Sequence, residues 1–184
     1  GLTLAPDGEH VYLTVGGFIK WISVGAGGGL DPETLTAIAR PAYFTDVVLT
    51  PDGRRLYASS YGDGILGFSV AADGSLSELD PPATATGAKV TALAVSSNGH
   101  SLYAAAKAGY GSQNRLLQYS IEDDGGLTAK DPASLPLDSR PYDLAITPDG
   151  RSLYVAAGDL ALFDLDVTGL ATPKSPAAFD LVKA

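Results

Sequence analysis

Residues 49–58 read Leu-Thr-Pro-Asp-Gly-Arg-Arg-Leu-Tyr-Ala, and residues 146–155 read Ile-Thr-Pro-Asp-Gly-Arg-Ser-Leu-Tyr-Val. Both segments place a Pro-Asp-Gly turn between two apolar runs. Pro presets φ, Asp accepts hydrogen bonds from its own backbone, and Gly adopts a positive φ, so the three residues together reverse the chain. Each segment therefore predicts a β-hairpin.

The same turn occurs four times, and successive copies lie 45, 46 and 51 residues apart. The four turns are Pro6-Asp7-Gly8, Pro51-Asp52-Gly53, Ser97-Asn98-Gly99 and Pro148-Asp149-Gly150. A Leu-Tyr-like strand, an aromatic-centred strand and a fourth strand follow each turn. Periods of about 40 to 50 residues with four strands each are typical of propeller blades. The sequence predicts an all-β fold, a β-propeller segment spanning 1–184, whose four four-stranded antiparallel blades cover approximately 1–42, 43–88, 89–139 and 140–184.

Two recurring residue types in the repeat are interpreted as structural. The first is the acid or amide of the turn, which we expect to act as a turn former rather than as a metal ligand. The second is an aromatic residue in the third strand, which we expect to pack between neighbouring blades. The four aromatic residues are Trp21, Phe68, Tyr119 and Phe163.

Four blades leave the closure of the ring open. A closed four-blade ring, two chains that complete a larger ring, and a piece of a longer propeller are all compatible with the repeat. We favour the longer propeller, because four-blade rings are the small end of the known range and a half ring would expose apolar blade faces. Methionine is absent from the 184 residues, so we also expect residues upstream of Gly1, with room for a signal peptide.

The composition excludes several classes of function. The net charge of −9 opposes binding to a phosphate backbone, so nucleic acid is not an expected partner. No apolar stretch is long enough to cross a bilayer, and the absence of cysteine excludes disulfides and thiolate sites. The two histidines, His10 and His100, follow turn glycines, where we expect solvent exposure away from any pocket. We predict no catalytic residue, metal site or cofactor from these patterns.

Propeller geometry favours one face of the molecule as the location of a binding site. The loops that enter the innermost strands and the loops that join second to third strands meet around the channel mouth, so their polar residues can converge on one ligand. We predict a ligand-binding set there, consisting of Asp46, Tyr61, Asp63, Lys89, Lys107, Tyr110, Arg140, Tyr142 and Asp143.

Two parts of this set carry alternative interpretations. Asp46 and Asp143 occupy equivalent positions in their blades, and they either face a cation or sugar-like ligand or accept hydrogen bonds from backbone amides near the channel; we favour the second. Residues 107–114 lengthen one loop at the mouth, and this insertion is the strongest single candidate for a contact surface, although we favour a tolerated surface insertion as its explanation.

The strings at 49–58 and 146–155 resemble the YVTN and lactonase-like β-propellers, as do Gly67-Phe68-Ser69-Val70 and the Asp73-Gly74-Ser75-Leu76 turn. The resemblance covers all four copies. It implies a ring of about seven blades and a relationship to 6-phosphogluconolactonase-like enzymes, whose mouths are expected to carry His, Glu and Arg. In this chain Thr45, Thr91 and Tyr142 occupy the positions before the inner strands where the family has His.

Two hypotheses of function follow. The first is a non-catalytic binding or scaffolding module of a larger secreted or surface protein, extracellular or periplasmic, with a protein or carbohydrate-like ligand and with a second chain or further blades completing the ring. The second is a lactonase-like hydrolase, cytoplasmic, in which Arg140, Asp143 and Asp46 bind a sugar lactone such as 6-phosphogluconolactone.

Overall fold

The structure, a computed structural model, describes residues 1–40, 43–61, 63–84, 86–109 and 113–179. These residues form four antiparallel four-stranded sheets, which confirms the predicted all-β blades. No helix in this part of the chain is long and apolar enough to span a bilayer.

Each sheet is a meander in which strands pair in sequence order. Blade 1 contains β1 (Leu2–Leu4), β2 (His10–Val15), β3 (Phe18–Val24) and β4 (Leu30–Ala39). Blade 2 contains β5 (Phe44–Leu49), β6 (Arg55–Ser60), β7 (Gly64–Val70) and β8 (Leu76–Thr84). Blade 3 contains β9 (Lys89–Val95), β10 (Ser101–Lys107), β11 (Arg115–Ile121) and β12 (Leu127–Pro136). Blade 4 contains β13 (Asp143–Ile146), β14 (Ser152–Ala156), β15 (Leu160–Leu165) and β16 (Ala171–Phe179).

The first strands of successive blades lie side by side, with β1 against β5, β5 against β9, and β9 against β13. They form the inner wall of the propeller, and the fourth strands lie at its outer edge. The connections that enter the inner strands and the loops between second and third strands share one end of the molecule. This end is the mouth, and the Pro-Asp-Gly-type turns lie at the opposite end.

The turns have the predicted chemistry. The side-chain oxygens of Asp7, Asp52, Asn98 and Asp149 each accept a hydrogen bond from the backbone amide two residues later, at 2.8 to 3.1 Å. The glycine of each turn has φ between 69° and 78°, which a residue with a Cβ rarely adopts. The recurring acid is therefore a turn former, as predicted.

Three hydrophobic clusters fill the spaces between blades 1 and 2, 2 and 3, and 3 and 4. All four recurring aromatic residues are buried in them, which confirms their packing role. Side chains alternate across a strand, so neighbouring residues of each second strand face opposite blades. Leu56 packs toward blade 1 while the next residue, Tyr57, packs toward blade 3.

A tyrosine hydroxyl links each blade to the next. Tyr12 donates to the carbonyl of Gly74 at 2.9 Å, Tyr57 donates to Gly125 at 2.8 Å, and Tyr103 donates to Gly169. The three acceptors are turn glycines with positive φ, where a side chain would collide with neighbouring atoms. Tyr154 holds the same position in blade 4 and is only partly buried.

Blade 1 exposes the face that corresponds to the buried preceding face of the other blades. Leu2 is 68% exposed and Leu4 is 54% exposed, and the partly exposed Val15 and Phe18 lie on the same face through the strand register. This surface has the composition of an inter-blade face, as expected for a segment of a larger ring.

We expect Tyr57→Phe to lower the free energy of unfolding by about 0.5–1.5 kcal/mol, because it removes a buried inter-blade hydrogen bond and leaves the Gly125 carbonyl without that donor. Tyr154→Phe is the matched control, since no glycine carbonyl accepts from Tyr154 in the described part of the chain, and it should change stability little. Urea denaturation measures both. Equal losses in the two variants would contradict a role for the inter-blade bond.

Stability should fall steeply in alkali. Burial raises the pKa of Tyr12, Tyr57 and Tyr103 to about 12 each, against 10.0 in the ordinary side chain. The folded state therefore retains these three protons above pH 10 while the unfolded state loses them, so stability present below pH 10 is lost as the pH rises toward 12. Denaturation followed across this window should track phenolate absorbance. A flat profile would contradict the shared burial of the three rings.

Candidate functional site

Three cations surround one cavity at the mouth. Lys89 begins β9, Lys107 ends β10, and Arg140 precedes β13, and all three line a cavity of about 570 Å³ together with Asn114. Among the described lining residues of this cavity there is no carboxylate. Three of the chain's 12 basic residues thus gather at one opening in a protein of net charge −9.

A second cavity of about 380 Å³ adjoins the first and shares Lys89 and Gly109 with it. Tyr61 and Asp63 line this second cavity, so the structure places five predicted residues around the joined space. Asn114 accepts a hydrogen bond from the Ala108 amide at 2.8 Å and fixes the base of the long loop. The predicted Tyr110 lies outside the described residues.

Each of the three cations lies against a tyrosine ring. The Nζ atoms of Lys107 and Lys89 lie 4.8 and 5.6 Å from the centre of the Tyr61 ring, and the Arg140 guanidinium lies 5.5 Å from the centre of Tyr142. Such cation–π contacts stabilise by about 0.5–1 kcal/mol at exposed sites. Tyr142 is 61% exposed, so its ring and the Arg140 charge both face solvent at the mouth.

Tyr43 is a site residue that sequence reasoning missed. Its ring stacks on Tyr61 with centroids 5.8 Å apart and an interplanar angle of 8°, and its carbonyl accepts the Tyr61 amide at 3.1 Å. Tyr43 lies directly before β5, in a loop that enters an inner strand, and Lys89 and Arg140 were predicted as site residues because they lie in loops of this kind. Its place in the entry loop was the available signal.

Asp46 makes the backbone contact that we favoured from its position. Its Oδ2 accepts a hydrogen bond from the Leu93 amide of the next inner strand at 2.8 Å. Burial raises the pKa of Asp46, and the negative charge of Asp143 adds to the shift, while the Leu93 and Val47 amides and the Gly1 amino group oppose it. The carboxyl therefore binds its proton more tightly than an ordinary aspartate does.

Asp143 lies at the start of β13 and its Oδ1 accepts the Leu144 amide at 2.8 Å. Asp143 is exposed, and its negative charge contributes to the raised pKa of Asp46. In the described chain neither carboxyl lines the two mouth cavities. The predicted set thus divides into residues that line the mouth cavities, among them the three cations, and a carboxyl pair, Asp46 and Asp143, that lines neither cavity.

Thr45 and Thr91, at the positions where the resemblance leads one to expect His, join neighbouring blades. Thr45 Oγ1 donates to the Val90 carbonyl at 2.9 Å, and Thr91 Oγ1 contacts the Pro141 carbonyl at 3.3 Å. These hydroxyls hold adjacent inner strands together at the level of the mouth.

The predicted solvent exposure of the two histidines is correct for His100 and wrong for His10. His100 is exposed as predicted, but His10 is only 8% exposed. Its ring lies on Gly74 of the next blade, where the missing side chain makes room for it. His10 therefore covers an inter-blade turn far from the mouth.

A separate cavity of about 490 Å³ lies at the opposite end, between the turns of blades 2 and 3. Its two cations, Arg54 and Arg55, are accompanied by three carboxylates, Asp52, Glu122 and Asp123. This balanced lining gives no preference for a charge type. In the described chain no group of three His, Asp or Glu side chains is arranged to hold a metal ion.

Comparison with known proteins decides the family. The family model "Lactonase, 7-bladed beta-propeller" matches residues 76–169, just over half of the chain. The chain belongs to this lactonase propeller family. Its four blades therefore correspond to part of a seven-bladed ring.

Solved structures agree with this lactonase propeller at the level of the fold. A proposed 6-phosphogluconolactonase from Bacteroides uniformis is 20% identical with a TM-score of 0.75, covering 93% of this chain and 52% of that one. Another from Bacteroides fragilis is 21% identical with a TM-score of 0.75, covering 94% and 52%. A protein from Lactobacillus plantarum is 25% identical with a TM-score of 0.67, covering 89% and 52%. The chain spans about half the length of these proteins. No curated protein sequence matches it.

We expect the urea midpoint of Asp46→Asn to rise relative to that of the wild type as the pH is raised. The folded-state pKa of Asp46 is raised, so its stabilising contribution is present at low pH and is lost as the pH rises through that pKa. The amide keeps an oxygen for the Leu93 N–H without a buried charge, and the difference should close on acidification.

Asp46→Ala is the contrasting variant. It leaves the Leu93 amide without its acceptor and should destabilise by about 1–3 kcal/mol. If Asn destabilised at pH 7 as much as Ala, the charge of Asp46 and not its oxygen would be the stabilising feature.

Proposed function

We propose that this propeller is a lactonase-like hydrolase that opens an anionic sugar lactone such as 6-phosphogluconolactone. One observation carries the proposal: a mouth cavity is lined by Lys89, Lys107 and Arg140 without a carboxylate among its described lining residues, and two carboxyls, Asp46 and Asp143, lie near the mouth ends of the inner strands β5 and β13. Membership of the lactonase family and the names of two structurally similar proteins support it.

One cation of the cavity, Arg140, is close in sequence to the carboxyl of Asp143. Arg140 and Asp143 are three residues apart, so their backbones are separated by at most about 11 Å. A sugar-sized ligand can extend over this distance, with its anionic group at the rim and its lactone ring toward the inner strands. The cations then supply binding energy, and the carboxyls face the bond to be broken.

Lactone hydrolysis needs one base and one acid. Asp143, as carboxylate, takes a proton from a water molecule whose oxygen forms a bond to the lactone carbonyl carbon. The bond between that carbon and the ring oxygen then breaks, and the leaving ring oxygen takes a proton from the carboxyl of Asp46, the member of the pair whose pKa is raised by burial and by the charge of Asp143. The product is the open-chain hydroxy acid, and transfer of the proton from Asp143 to Asp46 restores the pair.

A binding module without catalysis is the second candidate. Asp46 uses one oxygen to hold the Leu93 amide, which is a structural role, and the threonines at the inner strand entries join blades. On this alternative the cationic rim binds an anionic carbohydrate-like or protein ligand that is released unchanged.

The test is turnover of 6-phosphogluconolactone, followed by proton release at constant pH with the spontaneous rate subtracted. We expect turnover by the wild type, a loss of about 10²- to 10⁴-fold in kcat for Asp143→Asn through loss of the base, and a raised KM for Arg140→Ala. Lys174→Ala removes a cation that pairs with Asp164 on blade 4 and is the control, with unchanged kinetics. Folded wild-type chain that does not exceed the spontaneous rate would refute the hydrolase and favour the binding module.

A further inference from the structure

Lys89 and Lys107 are directly opposite each other in an antiparallel ladder. The register of β9 and β10 makes them Cα partners at the mouth end of blade 3. Like charges in this relation are destabilising. The pair is conspicuous because the chain has only 12 Lys and Arg against 21 Asp and Glu, and the described structure has no carboxylate in an ion pair with either lysine.

A ring from the neighbouring blade compensates part of this repulsion. Tyr61 follows β6 of blade 2, and both ammonium groups lie within 5.6 Å of its ring centre. The stack with Tyr43 and the backbone hydrogen bond between the two tyrosines orient the ring. The electron-rich ring thus gathers two positive charges that would otherwise separate into solvent.

We infer that Tyr61 is a positioning residue that holds Lys89 and Lys107 together as a clamp for a doubly charged oxyanion, of the phosphate monoester class. Two adjacent ammonium groups offer several donors and two charges, which a dianion neutralises and a monoanion does not. Arg140, on the wall of the same cavity, supplies a third charge and can bind phosphate oxygens in a bidentate manner. Binding of the dianion then removes the repulsion that the ladder imposes on the empty pair.

The inference shares its site with the proposed function and deepens it, because it assigns the anionic group of the ligand to named residues. It does not depend on turnover, since a clamp binds inorganic phosphate whether or not a lactone is opened. The two proposals can therefore fail separately.

The test is calorimetric titration with inorganic phosphate at constant ionic strength, at pH 8 where the dianion predominates and at pH 6. We expect tighter binding at pH 8 in the wild type. Tyr61→Leu, which keeps an apolar side chain but removes the ring, should weaken binding about 2- to 30-fold, the range of a cation–π contact of about 0.5–2 kcal/mol, and should reduce the gain between pH 6 and pH 8. Lys89→Met and Lys107→Met should each weaken binding at least as much.

Tyr61→Phe is the rescue variant, because it keeps the ring face, and its affinity should stay within about twofold of the wild type. Lys174→Ala is the control for general loss of positive charge and should bind as the wild type does. The clamp is refuted if the folded wild type does not bind phosphate, if its affinity is the same at both pH values, or if Leu and Phe at position 61 have equal effects. Clamp behaviour without lactone turnover would refute only the hydrolase, and turnover without an effect of Tyr61→Leu on phosphate binding would refute only the clamp.

Discussion

The hydrogen bond from a tyrosine hydroxyl of one blade to a glycine carbonyl of the next sets the spacing on which the propeller depends. A buried hydroxyl needs a partner, and the tyrosine side chain is a rigid spacer between its strand and that partner. The same contact occurs at all three described blade interfaces, through Tyr12, Tyr57 and Tyr103. These contacts hold neighbouring blades in the same relative position at the turn end. The loops at the mouth end therefore also keep a constant relative position, which places Tyr61 of blade 2 over the lysines of blade 3.

At the mouth, this regular construction gathers three cations around one cavity whose described lining has no carboxylate. The hydroxyls of Thr45 and Thr91 join neighbouring inner strands at this level. Blade 3 contributes two opposed lysines, blade 4 an arginine, and blade 2 the aromatic ring between them. These side chains come from three different blades, so their arrangement depends on the fixed orientation of the blades relative to one another.

The blades were predictable from sequence because turn chemistry and strand alternation are local. Pro-Asp-Gly turns, aromatic third strands and the Leu-Tyr pair each have a physical requirement that can be read within about ten residues. The loops of the mouth were predictable from topology as a set, and Lys89, Lys107 and Arg140 indeed share one cavity. Their pairing was not predictable, because the opposition of Lys89 and Lys107 requires the exact register of β9 and β10, which contains an irregularity between Ala105 and Ala106. The predicted exposure of His10 was wrong for a related reason, since its burial depends on the turn of the next blade.

Two local features run against the otherwise consistent pattern of the fold. The Asp46 carboxyl is partly buried and experiences the negative charge of Asp143, and the Lys89–Lys107 pair opposes like charges across a ladder. Natural sequences violate their own structural rules mainly where function requires it. Both exceptions lie on the mouth side of the inner strands, whereas the turn end balances its arginines with carboxylates. A fold that needed only to hold its blades together would have no reason to concentrate both kinds of unfavourable charge at the same end, so the mouth is the end at which a ligand is expected to supply the missing interactions.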